Sequence, residues 1–248
     1  MKKILEVNKL SKNYQSDTGE VEAIKNISFH VNEGEFISIV GPSGCGKSTI
    51  LSILSGLINK SDGDVSILNN IKLAYMLQED CLLPYRTVLE NCLIGLEVNN
   101  ELNDDTKDYV IQLLNTYGLG DFINSYPDSL SGGMRQRCAL IRTLAIRPDI
   151  LLLDEPMSQL DFQSRLTIGE DLYNIIKNEK KTVIMVTHDI GEAISMSDKV
   201  IVLSNRPSYI KNIYNIEFIN KSTPIENRKS KEYMNYFDLI WRDIDAHL

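Results

Sequence analysis

The segment Phe36-Ile37-Ser38-Ile39-Val40-Gly41-Pro42-Ser43-Gly44-Cys45-Gly46-Lys47-Ser48 constrains this chain more than any other stretch. An apolar run suited to a buried strand ends in a glycine-rich turn. Residues 46–57 follow with helical spacing, placing Ile50, Leu51, Ile53, Leu54 and Leu57 on one side. Residues 41–48 fit GxxxxGK[ST] in the strand–loop–helix setting that pattern requires. Glycines let successive backbone N–H groups curl around one anion, and the following helix presents its positive end to it. Lys47 is then placed for the β- and γ-phosphates of a nucleotide, and Ser48 for Mg²⁺.

A second strand, Ile150-Leu151-Leu152-Leu153, ends in Asp154-Glu155. On a parallel sheet ligands sit at the carboxyl ends of strands. Asp154 is therefore expected in the Mg²⁺ shell, and Glu155 is expected to orient or deprotonate an attacking water. Thr182-Val183-Ile184-Met185-Val186-Thr187 ends likewise in His188, within reach of a γ-phosphate. Residues 161–178 read as a crossover helix between these two strands. Apolar strands joined by helices predict a parallel sheet covered on both faces.

The rest of the chain differs in character. Ile27, Phe29 and Val31 alternate with Ser28, His30 and Asn32, which predicts half-exposed strands near the N-terminus. From Thr87 to Arg147 the patterns are helical, with Tyr109, Leu113 and Leu114 in one helix and Cys138, Ile141 and Ala145 in another that Pro148 stops. Gln78 falls where strands give way to helices, so its side chain is placed to touch both Mg²⁺ and water while sensing helix movement. Ser131-Gly132-Gly133, at a predicted helix start, makes a second anion cradle. Two cradles so far apart in sequence make sense if two chains face each other, each nucleotide pressed between one chain's loop and the other's cradle. Tyr233, Phe237, Ile240, Trp241 and Ile244 form a closing apolar stripe, expected to pack on the core rather than to regulate.

Composition excludes several classes. The net charge of -8 argues against a non-specific nucleic-acid binder, and no apolar run reaches the ~18–20 residues of a spanning helix. The opening Met1-Lys2-Lys3-Ile4 leads at once to Glu6 and Asn8, unlike a secretory signal. Cys45, Cys81, Cys92 and Cys138 contain no CxxC pair, so reduced thiols in a cytosolic compartment are expected. Asn59-Lys60-Ser61-Asp62 matches a guanine-reading pattern but follows Lys47 too closely, and no Asp is followed by Gly three residues on. It reads as a surface turn.

Taken together, the phosphate loop with Thr49, Gln78, Leu130-Ser131-Gly132-Gly133-Met134-Arg135-Gln136-Arg137, Asp154-Glu155 and His188 resemble, in order, the ATP-binding subunit of an ATP-binding cassette transporter. The resemblance covers nearly the whole chain. It implies an α/β fold: a RecA-like P-loop core with a mainly parallel sheet (1–78 and 147–220) and an N-terminal antiparallel β-subdomain. A helical subdomain (79–146) is inserted, and residues 221–248 form a helical extension. It implies ATP and Mg²⁺ as cofactors, Tyr14 stacking on adenine, and Asp161 in a loop crossing between two copies of the chain. It also implies a head-to-tail dimer under two membrane-spanning permease subunits, indirectly served by a substrate-binding protein, at the cytoplasmic face of the membrane. No nucleic acid is expected.

The run Gln78-Glu79-Asp80-Cys81-Leu82-Leu83-Pro84-Tyr85-Arg86-Thr87-Val88 and the stretch Leu203-Ser204-Asn205-Arg206-Pro207 look like the nitrate/sulfonate/taurine import branch. The expected cargo is then a small anion such as nitrate, a sulfonate, taurine or bicarbonate. The alternative is a non-transport cassette ATPase acting on nucleic acid or ribosomes, whose relatives carry long coiled coils or tandem cassettes. Two positions depart from the pattern: Gln159 stands where the family usually has alanine, and Tyr85 where the branch commonly shows tryptophan. The short stretch 60–78 predicts a trimmed β-subdomain or connection.

Overall fold

In a computed structural model that describes residues 2–16 and 19–245, the expected N-terminal alternation becomes a long antiparallel hairpin, β1 (Lys3–Ser16) and β2 (Gly19–Asn32). Ile27, Phe29 and Val31 are buried while Ser28 and His30 face solvent. Then come β3 (Phe36–Val40), α1 (Lys47–Leu54), β4 (Asp62–Ile67) and β5 (Leu73–Met76). β4 pairs with the other edge of β1, closing a three-stranded antiparallel sheet. Helix α1 is shorter than its apolar spacing predicts. Gly56 takes a left-handed φ of 77° and turns the chain, leaving Leu57 66% exposed rather than buried. The guanine-like pattern lies in the loop entering β4, where Asn59 O accepts from Lys12 and Ser61 Oγ accepts from the Asn13 N–H, as a surface turn would.

Between β5 and the next strand the described residues carry helices and no strand. These are α2 (Val88–Val98), α3 (Asp104–Thr116) and α4 (Gly132–Ala145). Reciprocal capping boxes start the first two, Thr87 with Glu90 and Asn103 with Thr106. Their buried residues Val88, Leu96, Leu113, Leu114, Cys138 and Ile141 share one apolar cluster with Leu151, Leu153, Val183 and Met185. The helical stretch is thus welded to one face of the main sheet.

That sheet is completed by β6 (Ile150–Asp154), α5 (Phe162–Asn178), β7 (Thr182–Val186), α6 (Ile190–Met196), β8 (Lys199–Leu203) and β9 (Ile210–Asn215). Its order is β5-β6-β7-β3-β8-β9, parallel except for β9. Strands β3, β6, β7 and β8 are buried at every position, which is why they read as unbroken apolar runs. Because β7 lies between β6 and β3, the carboxyl ends of all three meet on one edge: Asp154 is in register with Val186, and Val186 with Ile39. The chain ends with α7 (Pro224–Asn227) and α8 (Lys231–Asp245). On α8, Tyr233 and Ile240 are buried against Ile190, Ala193, Val200 and Val202, and Phe237 and Ile244 pack beside them. Trp241 departs from the packing expectation: it stacks on Phe237 with ring centroids 6.1 Å apart but stays 52% exposed.

Candidate functional site

Leaving β3, the chain passes through Gly44 at φ 71° and Gly46 at φ 105°, conformations that favour glycine, and enters α1 at Lys47. This curl lines a cavity of about 190 Å³ with Ser43, Gly44, Gly46, Lys47, Ser48, Thr49, Glu155 and Arg206. Pro42 and Cys45 shape the loop from behind. The Cys45 thiol is buried, which pushes its pKa up, and its backbone N–H donates to Pro42 O. Lys47 is itself buried, and its ammonium donates to Gly41 O at 2.9 Å and Pro42 O at 3.0 Å.

The strand-end acids are where the sequence places them. Ser48 Oγ donates to Asp154 Oδ1 at 2.9 Å, and the Tyr75 hydroxyl donates to Asp154 Oδ2 at 2.8 Å. Tyr75 was not foreseen from the sequence. Burial and the adjacent carboxylate push its pKa far up, so it stays a phenol and a donor. Glu155 takes a left-handed φ of 45°, a strained conformation for a residue with a β-carbon. Its Oε2 lies 3.0 Å from His188 Nδ1 and accepts a long, 3.5 Å bond from Gln78 Nε2, which also donates to Ser158 Oγ at 3.3 Å. A carboxylate bracketed by an imidazole and an amide at a cavity wall is equipped to position and deprotonate water.

The Ser48 hydroxyl, the Gln78 amide and the carboxylates of Asp154 and Glu155 are hard oxygen donors. Among the described residues no group of three or more His, Cys, Asp or Glu side chains is placed to hold a metal. That donor set suits Mg²⁺, which is usually shared between one or two protein oxygens and the phosphates of its ligand.

The second cradle is elsewhere. Ser131 Oγ caps α4 by accepting from Met134 N–H at 3.3 Å, and Gly132 and Gly133 form its first turn. They line a separate cavity of about 720 Å³ with Arg137, Gln159, Asp161, Gln163 and Ser164, sharing no residue with the loop cavity. Gly133 has no room for a side chain, since a methyl there would meet Ile168 Cδ1 at 2.5 Å. Asp161 belongs to this second cavity. Its carboxylate caps α5, accepting from the Gln163 and Ser164 N–H groups at 3.0 Å each and from Ser164 Oγ at 2.6 Å. The Ser164 hydroxyl first, then these N–H groups, hold its pKa low. Tyr14 lines neither cavity. It is exposed near the end of β1, with Lys12 Nζ 5.0 Å from its ring centroid.

One link joins the regions through α4. Arg135 pairs with Asp80 at 3.0 Å, and Arg142 donates to the Asp80 and Cys81 carbonyls, so the helix behind the second cradle holds the segment just after Gln78.

Residues 24–158 match the sequence family described as ABC transporter. YtlC of Bacillus subtilis, an uncharacterized ABC transporter ATP-binding protein, is 41% identical over 98% of this chain and 96% of its own length. The aliphatic sulfonates import ATP-binding protein SsuB of Bacillus cereus is 38% identical over 91% of this chain and 89% of its own. Among solved structures, a dimeric post-hydrolysis state of the ATP-binding cassette MJ0796, bound to ADP and Pi, matches with a TM-score of 0.74 at 30% identity. It covers 87% of this chain and 100% of that one.

Proposed function

Since the chain belongs to the ABC transporter family, we propose that it binds and hydrolyses ATP as the nucleotide-binding subunit of an importer for a small anionic solute. One observation carries the mechanism: the phosphate-loop cavity and the second cradle are separate surfaces of a single chain. Two copies set head to tail bring each loop against the other's cradle, and each chain then contributes to both ATP sites.

In this reading residues 41–49 wrap the phosphates, Lys47 turning from its own loop's carbonyls toward the β- and γ-phosphates. Tyr14 offers its exposed ring to adenine. Ser48, Asp154 and Gln78 hold Mg²⁺, which when bound neutralises charge on the phosphate oxygens. Glu155 orients and deprotonates the attacking water, and His188 steadies Glu155 and the γ-phosphate. Ser131, Gly132 and Gly133 bind the nucleotide of the opposing chain, with Asp161 and Gln159 at the contact between copies.

The division into a core (1–78 and 147–220), a helical insert (79–146) and an extension (221–248) belongs to the same proposal. No helix among the described residues is long and apolar enough to cross a membrane. Two separate permease subunits as the pore, with this chain at their cytoplasmic face, belong to the same proposal. Leu77 and Tyr85, exposed beside the Arg135-anchored segment, offer them a docking surface. Closure of the ATP-bound pair and its reopening after hydrolysis drive alternating access. The sulfonate importer relative supports the anionic cargo, delivered by a binding protein.

Mg²⁺-dependent ATP hydrolysis by the purified chain tests the core of this. Lys47→Ala is expected to abolish it, and Glu155→Gln to stop turnover by about 100-fold or more while leaving ATP-stabilised dimers. Wild-type turnover in Glu155→Gln would remove that carboxylate from the reaction.

A further inference from the structure

The phosphate-loop cavity has a second cation in its wall, contributed by a turn more than 150 residues along the chain. Arg206 lines the cavity beside Lys47, Ser48 and Thr49, and its Nη2 donates to Gly44 O at 3.0 Å. Resting on the nucleotide reading of this site, we infer that Arg206 is a further nucleotide-binding residue, its guanidinium reaching the phosphates from the cavity wall.

The turn between β8 and β9 is built to hold a side chain in place. Ser208 N–H donates to Ala23 O at 3.1 Å, Lys25 N–H donates to Ser208 O at 2.8 Å, and Ser208 Oγ also donates to Ala23 O. Across the turn Ser204 N–H donates to Tyr209 O at 3.0 Å, and Tyr209 N–H donates to Ser204 Oγ at 3.0 Å. Ser204 and Ser208 are both buried, so the turn is rooted in β2 and in the sheet while Arg206 projects from it. The phosphate loop is packed against the same corner, for a methyl on Gly41 would meet Leu203 O at 3.1 Å.

The side chain has capacity to spare. A guanidinium carries five N–H donors in a planar fork matched to phosphate oxygens. Toward the loop, Arg206 commits one of them to the Gly44 carbonyl, and among the described residues it makes no ion pair. Lys47 is buried in the loop while Arg206 is exposed, so the guanidinium is the more accessible of the two cations. In a chain of net charge -8, a positive rim also favours approach of a polyanion.

The test compares wild type, Arg206→Gln and Arg206→Lys for binding of ATP, tripolyphosphate and adenosine at low and high salt. Glutamine keeps a donor for Gly44 O and removes the charge, whereas lysine keeps the charge. Arg206→Gln is expected to weaken ATP and tripolyphosphate about five- to twentyfold, adenosine less than about twofold, with the loss shrinking at high salt and Arg206→Lys recovering part of it through its charge. Unchanged ATP affinity in Arg206→Gln, equal loss for adenosine, or a lysine variant no better than glutamine would overturn the assignment. Failure of the wild type itself to bind ATP would instead refute the nucleotide reading on which it rests.

Discussion

The phosphate-loop cavity and the second cradle both sit at glycine-bearing helix starts, but they are finished to different degrees. In the first, Lys47, Ser48, Asp154, Glu155, Gln78 and His188 all find partners within the chain, around a cavity of about 190 Å³. In the second, the polar groups of Ser131 and Asp161 are committed to capping helices, and the cavity is a broad 720 Å³. The first brings a carboxylate and an imidazole to 3.0 Å; the cradle residues 131–133 offer two glycines and a helix terminus. On the proposed reading, chemistry is assembled on one surface and anion recognition duplicated on another, an asymmetry that a second copy would resolve.

The largest expected effect tests whether the two surfaces work across chains. Lys47→Ala disables the first and Ser131→Arg the second, and each variant alone is expected to lose hydrolysis by about 100-fold or more. Mixed one to one, they form heterodimers in which the intact loop of one chain faces the intact cradle of the other. Binomial pairing then predicts recovery of roughly a quarter of wild-type turnover if sites fire independently. No recovery, together with no ATP bound at the single intact site of heterodimers confirmed by differently tagged chains, would break the comparison.

The two regions also differ in how much of them was legible in the sequence. The loop's glycines, Lys47, Ser48 and the Asp154-Glu155 pair stand out because phosphate and metal chemistry demand fixed residue types at fixed local spacing, with an unbroken apolar strand before them. Tyr75 reaches Asp154 from β5, and Arg206 reaches the loop cavity from the β8–β9 turn, and no spacing within one segment announces them. Asp161 was legible as a residue but not in its surroundings: only the fold shows its oxygens engaged at the start of α5 and its place in the second cavity. Leu57 and Trp241 were misplaced for the same reason, since helical periodicity names a face without showing where Gly56 ends the helix or whether a neighbour covers the ring.

A smaller effect is expected at Glu192, in α6. It is buried behind the His188 loop and accepts from Thr187 Oγ1 at 2.7 Å, while Thr187 accepts from Asp189 N–H. Asp189 faces it unfavourably, and Arg165 and Arg228 favourably; Arg165 in turn donates to Leu160 O beside Asp161. Burial dominates and raises its pKa from 4.5 to about 7. The folded chain then binds more protons than the unfolded chain between about pH 4.5 and 7, so stability falls as pH rises through that window. The loss is complete above it and amounts to roughly 3–4 kcal/mol. Glu192→Gln keeps an acceptor for Thr187 and no charge, so it is expected to exceed wild type in stability at pH 8 and match it near pH 4.5. Identical denaturation profiles across this range would show that burial does not perturb Glu192.

The smallest effect separates the two demands placed on Asp161. As the cap of α5 it satisfies two backbone N–H groups, and Asn caps a helix about as well as Asp while Ala does not. Asp161→Ala is therefore expected to lower Tm by about 2–4 °C, and Asp161→Asn to leave it unchanged. Hydrolysis is the second readout. If the carboxylate serves only α5, Asp161→Asn retains full turnover, and the second surface is recognition built entirely from backbone and helix ends. If its charge also faces the opposing chain, Asp161→Asn keeps its Tm and loses turnover, because the amide preserves the cap and removes the anion. In that case the second surface contributes a charged group across the contact, and the asymmetry between the regions is one of degree.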